Sequence, residues 1–195
     1  MRERPILFNG DMVRAILEGR KTVTRRAVKS DLIQSDRAPL ETSPGRFHFW
    51  CSGEHASPFG APGDRLWVRE TWAPGATRTM YRAGCNPCYL PPSGRWKPSI
   101  HMPRSASRIL LEVTAVRVER LQDITEERAK AEGVRAIDGM KWHTLEEAAA
   151  GIPMRDHTAL DAFSALWECI NGEGSWAANP WVWVIEFNRV EAAHA

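Results

Sequence analysis

No run of about 18 apolar residues occurs in this 195-residue chain, so no membrane-crossing helix is expected. The N-terminal Met1-Arg2-Glu3-Arg4-Pro5-Ile6-Leu7-Phe8 lacks the apolar stretch of a signal peptide, and a cytoplasmic location is expected. Cysteine is sparse. Cys51, Cys85, Cys88 and Cys169 are too few and too scattered for a disulfide framework in a chain that can bury an ordinary core. Internal repeats, low-complexity tracts and linker-like segments are missing, which points to one domain over residues 1–195. Also missing is the regular βα alternation of a parallel sheet.

Net charge is small, at +2, but unevenly spread. Residues 1–110 carry eighteen Lys/Arg against nine Asp/Glu, and the remainder eight against fifteen. A basic half suits a phosphate-bearing partner without requiring one. Nine tryptophans suggest core and barrel-mouth packing, with some ring faces open to a base.

Asn9 is placed to cap a helix over 11–18, with Met12, Val13, Ile16 and Leu17 on one face and Gly19 at the left-handed stop. Residues 30–63 read as a long loop around one short aromatic strand, and 73–108 as irregular; 135–157 is a third insertion. Between the first two, Leu66 and Val68 alternate with Trp67, Arg69 and Thr71, a strand with one apolar face. A long strand over 109–121 loses its alternation between Val113 and Val116, which predicts a bulge. Thr125 caps a second helix that stops at Gly133. Thr144-Leu145-Glu146-Glu147 has the capping-box pattern of a short helix. Leu160, Phe163, Trp167 and Ile170 mark a core-facing helix near 158–170, with Cys169 expected as a buried thiol, and 180–187 is a strand apolar on both faces. Short strands, long loops and few helices argue for α+β with a small, closed, mainly antiparallel sheet.

The densest chemistry lies in Gly19-Arg20-Lys21-Thr22-Val23-Thr24-Arg25-Arg26. Crowding by Arg20, Arg25 and Arg26 disfavours a protonated Lys21, and a neutral amine can take the proton of a hydroxyl such as Thr24. Against this, Thr22-Val23-Thr24 favours an extended chain that points Lys21 and Thr24 to opposite faces unless a turn intervenes. Glu132 falls at the negative end of its helix, where the dipole disfavours a charged carboxyl; a solvated surface glutamate is the simpler expectation.

The segment Ile16 to Arg26 resembles the signature of the ASCH domain, a PUA-like β-barrel family with the motif Gly-x-Lys-x-x-Glu-x-Arg. Gly19, Lys21 and Arg26 fall on motif positions, and Thr24 stands where many members carry Glu. That departure is similar to the branch of small bacterial N4-acetylcytidine amidohydrolases, for which a Lys, Thr and Glu triad is proposed. The pattern Ile124-Thr125-Glu126 through Ala131-Glu132 carries the third member to Glu132. Pro5 to Phe8, Pro62 to Trp72, Trp96 to Arg104, Ile109 to Val134 and Asn171 to Phe187 resemble longer ASCH-like proteins of phages and prophages.

The resemblance implies a PUA-like barrel with flanking helices, and removal of an acyl group from N4-acylated cytidine or cytosine by Lys21, Thr24 and Glu132. Arg26, Trp67 and Arg69 are the expected substrate-binding residues; a modified nucleoside or RNA is the expected partner, with no cofactor. Two alternatives stay open. One is a non-catalytic RNA- or nucleotide-binding module in which Lys21, Arg25, Arg26 and Arg69 hold phosphate and Trp67 or Trp72 stacks a base. The other is a zinc-stabilised module built on Cys51, His55, Cys85 and Cys88, although no metal is expected.

Overall fold

The structure, a computed structural model, describes residues 1–33, 36–75, 77–86, 88–137, 141–143 and 158–190. It is a mixed α+β fold, richer in strands than in helices, organised on a five-stranded sheet. That sheet holds β1 (Glu3–Leu7), β2 (Val23–Ala27), β6 (Arg65–Arg69), β9 (Leu110–Arg120) and β12 (Trp181–Val190) in the order β1-β6-β9-β12-β2. β1 and β6 run parallel, and every other neighbouring pair is antiparallel. Among the described residues no ladder joins β1 to β2, so the sheet is open by its backbone pairing.

The central strand β12 explains its own composition. Trp181, Trp183, Ile185 and Phe187 pack into one core with Ile6, Leu66, Val68, Leu111 and Val113. Val182 and Val184 pack on the opposite face with Val23, Leu121, Phe163 and Trp167. A strand covered on both sides has no need of polar alternation. The bulge lies where the β9 pattern slips: Glu186 pairs with Ala115 and Phe187 with Val113, leaving Thr114 unpaired.

Helix α1 (Gly10–Leu17) is capped by Asn9, whose side chain accepts from the Met12 N–H at 2.9 Å. Helix α2 (Glu126–Ala131) is capped by Thr125, and α3 (Ala159–Asn171) by a reciprocal capping box between Thr158 and Asp161. Packing of α3 uses Phe163 and Trp167, while Ile170 is half exposed and Cys169 lies at the surface, not in the core as the helical spacing suggested. No described helix is long and apolar enough to cross a membrane.

Residues 30–63 are more ordered than a loop around one strand. β3 (Leu40–Ser43), β4 (Arg46–Phe49) and β5 (Gly53–Ala56) form a separate antiparallel sheet, anchored by Phe47 and Phe49 packing edge-on against Trp183. β3 escaped the pattern because all four of its residues are exposed. Likewise 73–108 contains a hairpin of β7 (Trp72–Pro74) and β8 (Thr79–Tyr81), followed by short 3-10 turns. β10 (Arg135–Ile137) and β11 (Lys141–His143) pair with each other. The capping-box segment at Thr144 lies outside the described residues.

Two helix stops set the site. Gly19 (φ 75°) ends α1 and Gly133 (φ 90°) follows α2, both in the left-handed region. A Cβ on Gly133 would lie 2.8 Å from Ala15 Cβ and 3.0 Å from Lys21 Cβ, whereas one on Gly19 would meet nothing within 4 Å. Gly133→Ala is therefore expected to cost about 2–5 kcal/mol, combining left-handed backbone strain with overpacking. Gly19→Ala should cost only the backbone part, about 1–2 kcal/mol. Denaturant unfolding of both variants checks the difference.

Candidate active site

Lys21 sits in the turn after α1 and not in β2. The N–H groups of Arg20 and Lys21 both donate to the Ala15 carbonyl, at 2.9 and 3.1 Å, and the strand begins only at Val23. Strand alternation therefore places no constraint on the Lys21 side chain. The Thr22 N–H donates to the Ala131 carbonyl at 3.0 Å, which docks the start of β2 against the end of α2.

That docking brings Lys21 to Glu132. Lys21 Nζ donates to Glu132 Oε2 at 2.6 Å and to the Glu132 backbone carbonyl at 2.8 Å. Arg25 Nη1 donates to Glu132 Oε1 at 3.0 Å. The side chains of Lys21 and Arg25 have no solvent exposure and that of Glu132 has 3 %. Glu132 is thus a buried carboxylate with a cation on each oxygen, and not the solvated residue suggested by its place at a helix end. Sequence could not reveal this, because both partners come from more than a hundred residues away.

The pKa of Lys21 is lowered from its ordinary value, chiefly by burial, with Arg26 and Arg25 adding to the shift and Glu132 opposing it. Arg20, expected to crowd the amine, instead turns to Glu18 and to the Gly133 carbonyl. Desolvation, more than the local density of cations, is what favours the neutral amine.

Phe8 links the other motif residues. Lys21 Nζ lies 5.7 Å from the centre of its ring and the Arg26 guanidinium 5.3 Å. Thr24 is two residues before Arg26 in β2, on the same face of the strand, and is 2 % exposed. Its hydroxyl makes no hydrogen bond with any described residue, so neither Nζ contact of Lys21 goes to Thr24. Arg26 Nη2 donates to the Leu7 carbonyl at 2.6 Å, which ties the edge strand β2 to the opposite edge β1. Burial lowers the Arg26 pKa, with Glu132 pulling the other way.

No family model, curated protein or solved structure matches the chain.

Trp67 and Arg69 stand together on the face of β6 away from the buried Leu66 and Val68, although the Arg69 backbone is in register with Leu7 and its carbonyl accepts from the Phe8 N–H at 3.2 Å. The Arg69 guanidinium lies 5.4 Å from the Trp67 ring centre and bonds the Ile100 carbonyl; neither residue has a described bond to Lys21, Thr24 or Glu132. Trp72 is buried and carries Lys97 on its ring. Among the described residues, no three His, Cys, Asp or Glu side chains are grouped to hold a metal. Cys51 and Cys88 are exposed, and His55 Nε2 faces the Ser52 carbonyl.

Two contributors escaped the sequence reading. Glu119 accepts from Arg25 (2.7 Å), Arg117 (3.2 Å) and Arg128 (3.3 Å), extending the buried charge pair toward the surface. The Arg117/Glu119 spacing put both on one face of β9, a usable signal, but nothing local pointed to Arg25. Phe8 was legible only as the last apolar residue of the N-terminal segment.

Proposed function

We propose that this protein is an amidohydrolase that removes the acyl group from N4-acylated cytidine or cytosine, on a PUA-like barrel of the ASCH type. The observation that carries the reading is the desolvated Lys21 amine, held 2.6 Å from Glu132 and beside the Phe8 ring, with Thr24 buried in the strand that follows. A barrel is supported by Arg26, which spans from one edge of the five-stranded sheet to the Leu7 carbonyl at the other.

Neutral Lys21 takes the Thr24 hydroxyl proton as Thr24 Oγ bonds to the acyl carbon. The proton passes to Glu132 across their short contact and on to the departing N4 as the C–N bond breaks. Water, losing a proton to Glu132, then attacks the acyl-threonine carbon; the acyl C–Oγ bond breaks, the carboxylic acid leaves and that proton returns through Lys21 to Thr24 Oγ. The developing oxyanion needs a donor. The turn amides of Gly19, Arg20 and Lys21 are committed to Ile16 and Ala15 carbonyls, whereas the buried Arg26 Nε has no partner among the described residues. Arg26 is the donor this arrangement favours.

The binding-module alternative assigns Lys21 and Arg25 to phosphate. Both side chains are instead fully enclosed and ion-paired with Glu132 or Glu119, which leaves them poorly placed for a phosphate. Incubation with N4-acetylcytidine and a panel of other N4-acylated cytosines, followed by chromatography, is expected to show release of cytidine or cytosine. A fully folded preparation that releases neither from any member of the panel would overturn the proposal.

A further inference from the structure

The ion pairs do not end at Glu119. Lys21, Arg25, Arg117 and Arg128 form one connected network with Glu132, Glu119 and Glu186, in which Arg117 Nη1 donates to Glu186 at 2.6 Å. At its outer end Arg117 and Arg128 are matched by Glu119 and Glu186. Lys21 and Arg25 are enclosed while Arg117 and Arg128 are 29 % and 44 % exposed, so the two outer guanidinium groups are the ones a ligand can reach from solvent.

At that end lies a cavity of about 320 Å³, lined by Thr22, Thr114, Arg117, Arg128, Glu186 and Asn188 among others. Arg117 uses Nε for Glu119 and Nη1 for Glu186, and its Nη2 is buried with no partner among the described residues. A buried donor without a protein partner is open to water or to a ligand. The bulge that leaves Thr114 unpaired, together with Thr22 and Asn188, adds hydroxyl and amide donors around the same space.

We propose that this cavity is a binding site for a phosphate group, held by Arg117 and Arg128. Two guanidinium groups, one of them with an unpaired N–H, and neutral donors in one concavity suit a tetrahedral oxyanion, which would bind beside the Glu186 carboxylate that Arg117 already holds. Its volume exceeds that of phosphate alone, so a nucleotide phosphate or an RNA backbone phosphate fits as well as the free ion. The Thr22 N–H bond to Ala131 lies between the cavity and the Lys21–Glu132 pair, and the proposal stands whether or not that pair is catalytic.

Calorimetric titration of the full chain at low ionic strength, with inorganic phosphate, cytidine 5′-monophosphate and a six-nucleotide oligocytidylate as separate probes, tests it. Saturable binding of at least one probe is expected, with about 10-fold weaker binding in Arg128→Gln, the loss expected of one charge-assisted contact. Arg128 is exposed enough for that variant to keep the wild-type melting temperature. Asn188→Ala is a second variant outside the ion pairs, expected to weaken the same probe less. Tightest binding of the free ion, the mononucleotide or the oligonucleotide identifies which source of phosphate the cavity takes. Absence of binding by all three probes, or equal binding by wild type and both variants, would overturn the proposal.

Discussion

Replacing Lys21 with methionine is expected to lower turnover of an N4-acylcytidine by ~10²–10⁴-fold, the usual contribution of a positioned proton acceptor. Methionine keeps the length and apolar stem of the lysine but has no amine. Its effect on stability should be far smaller than its effect on rate, for two reasons. Glu132 retains Arg25 on its other oxygen, so the carboxylate is not stranded. Moreover, burial already disfavours the Lys21 ammonium, so the charge being removed is one the fold holds at a cost. Turnover measured at matched folded fraction separates the two quantities, and equal rates for variant and wild type would exclude Lys21 as the base.

Glu132→Ala should do the reverse and destabilise strongly, by about 3–5 kcal/mol near neutral pH, because it leaves Lys21 without a counter-ion in an enclosed site. Arg25 keeps Glu119 and Lys21 keeps only a backbone carbonyl, so the uncompensated charge is chiefly that of the amine. The pH dependence follows from its lowered pKa. Between that lowered value and the ordinary 10.5, the unfolded chain binds a proton at Lys21 that the folded protein does not. Stability from this residue therefore rises with pH through that window and levels off above it. The rise should be steeper and longer in Glu132→Ala, since the carboxylate that opposed the shift is gone. The double variant Lys21→Met/Glu132→Ala should recover much of the loss, and a double-mutant cycle by chemical unfolding measures the coupling.

Local chemistry was readable in the sequence where neighbours in the chain decide it. Asn9 and Thr125 cap their helices, Gly19 and Gly133 end them, and the slip in alternation on β9 marks its bulge. What could not be read depends on partners far along the chain. Glu132 looked solvated because its helix end is polar, and only the docking of β2 against α2 buries it. Lys21 was read as part of an extended strand because β2 was expected to start earlier than Val23. β3 and the β7–β8 hairpin carry too few buried residues for periodicity to reveal them. Cys169 and Ile170 show the opposite error: their helical spacing points inward, but the core beneath α3 does not extend to its last turn.

Lys21 and Glu132 are 111 residues apart, and the chain between them includes the β3–β5 sheet and the whole of β6 and β9. Closing so long a loop is entropically slow, and contacts of this range form after local helices and hairpins. During refolding the amine and the carboxylate stay in water until β9, β12 and β2 have found one another. Far-ultraviolet helical signal should therefore return before any activity does. A chain arrested before β2 docks would hold every residue of the site and none of its chemistry.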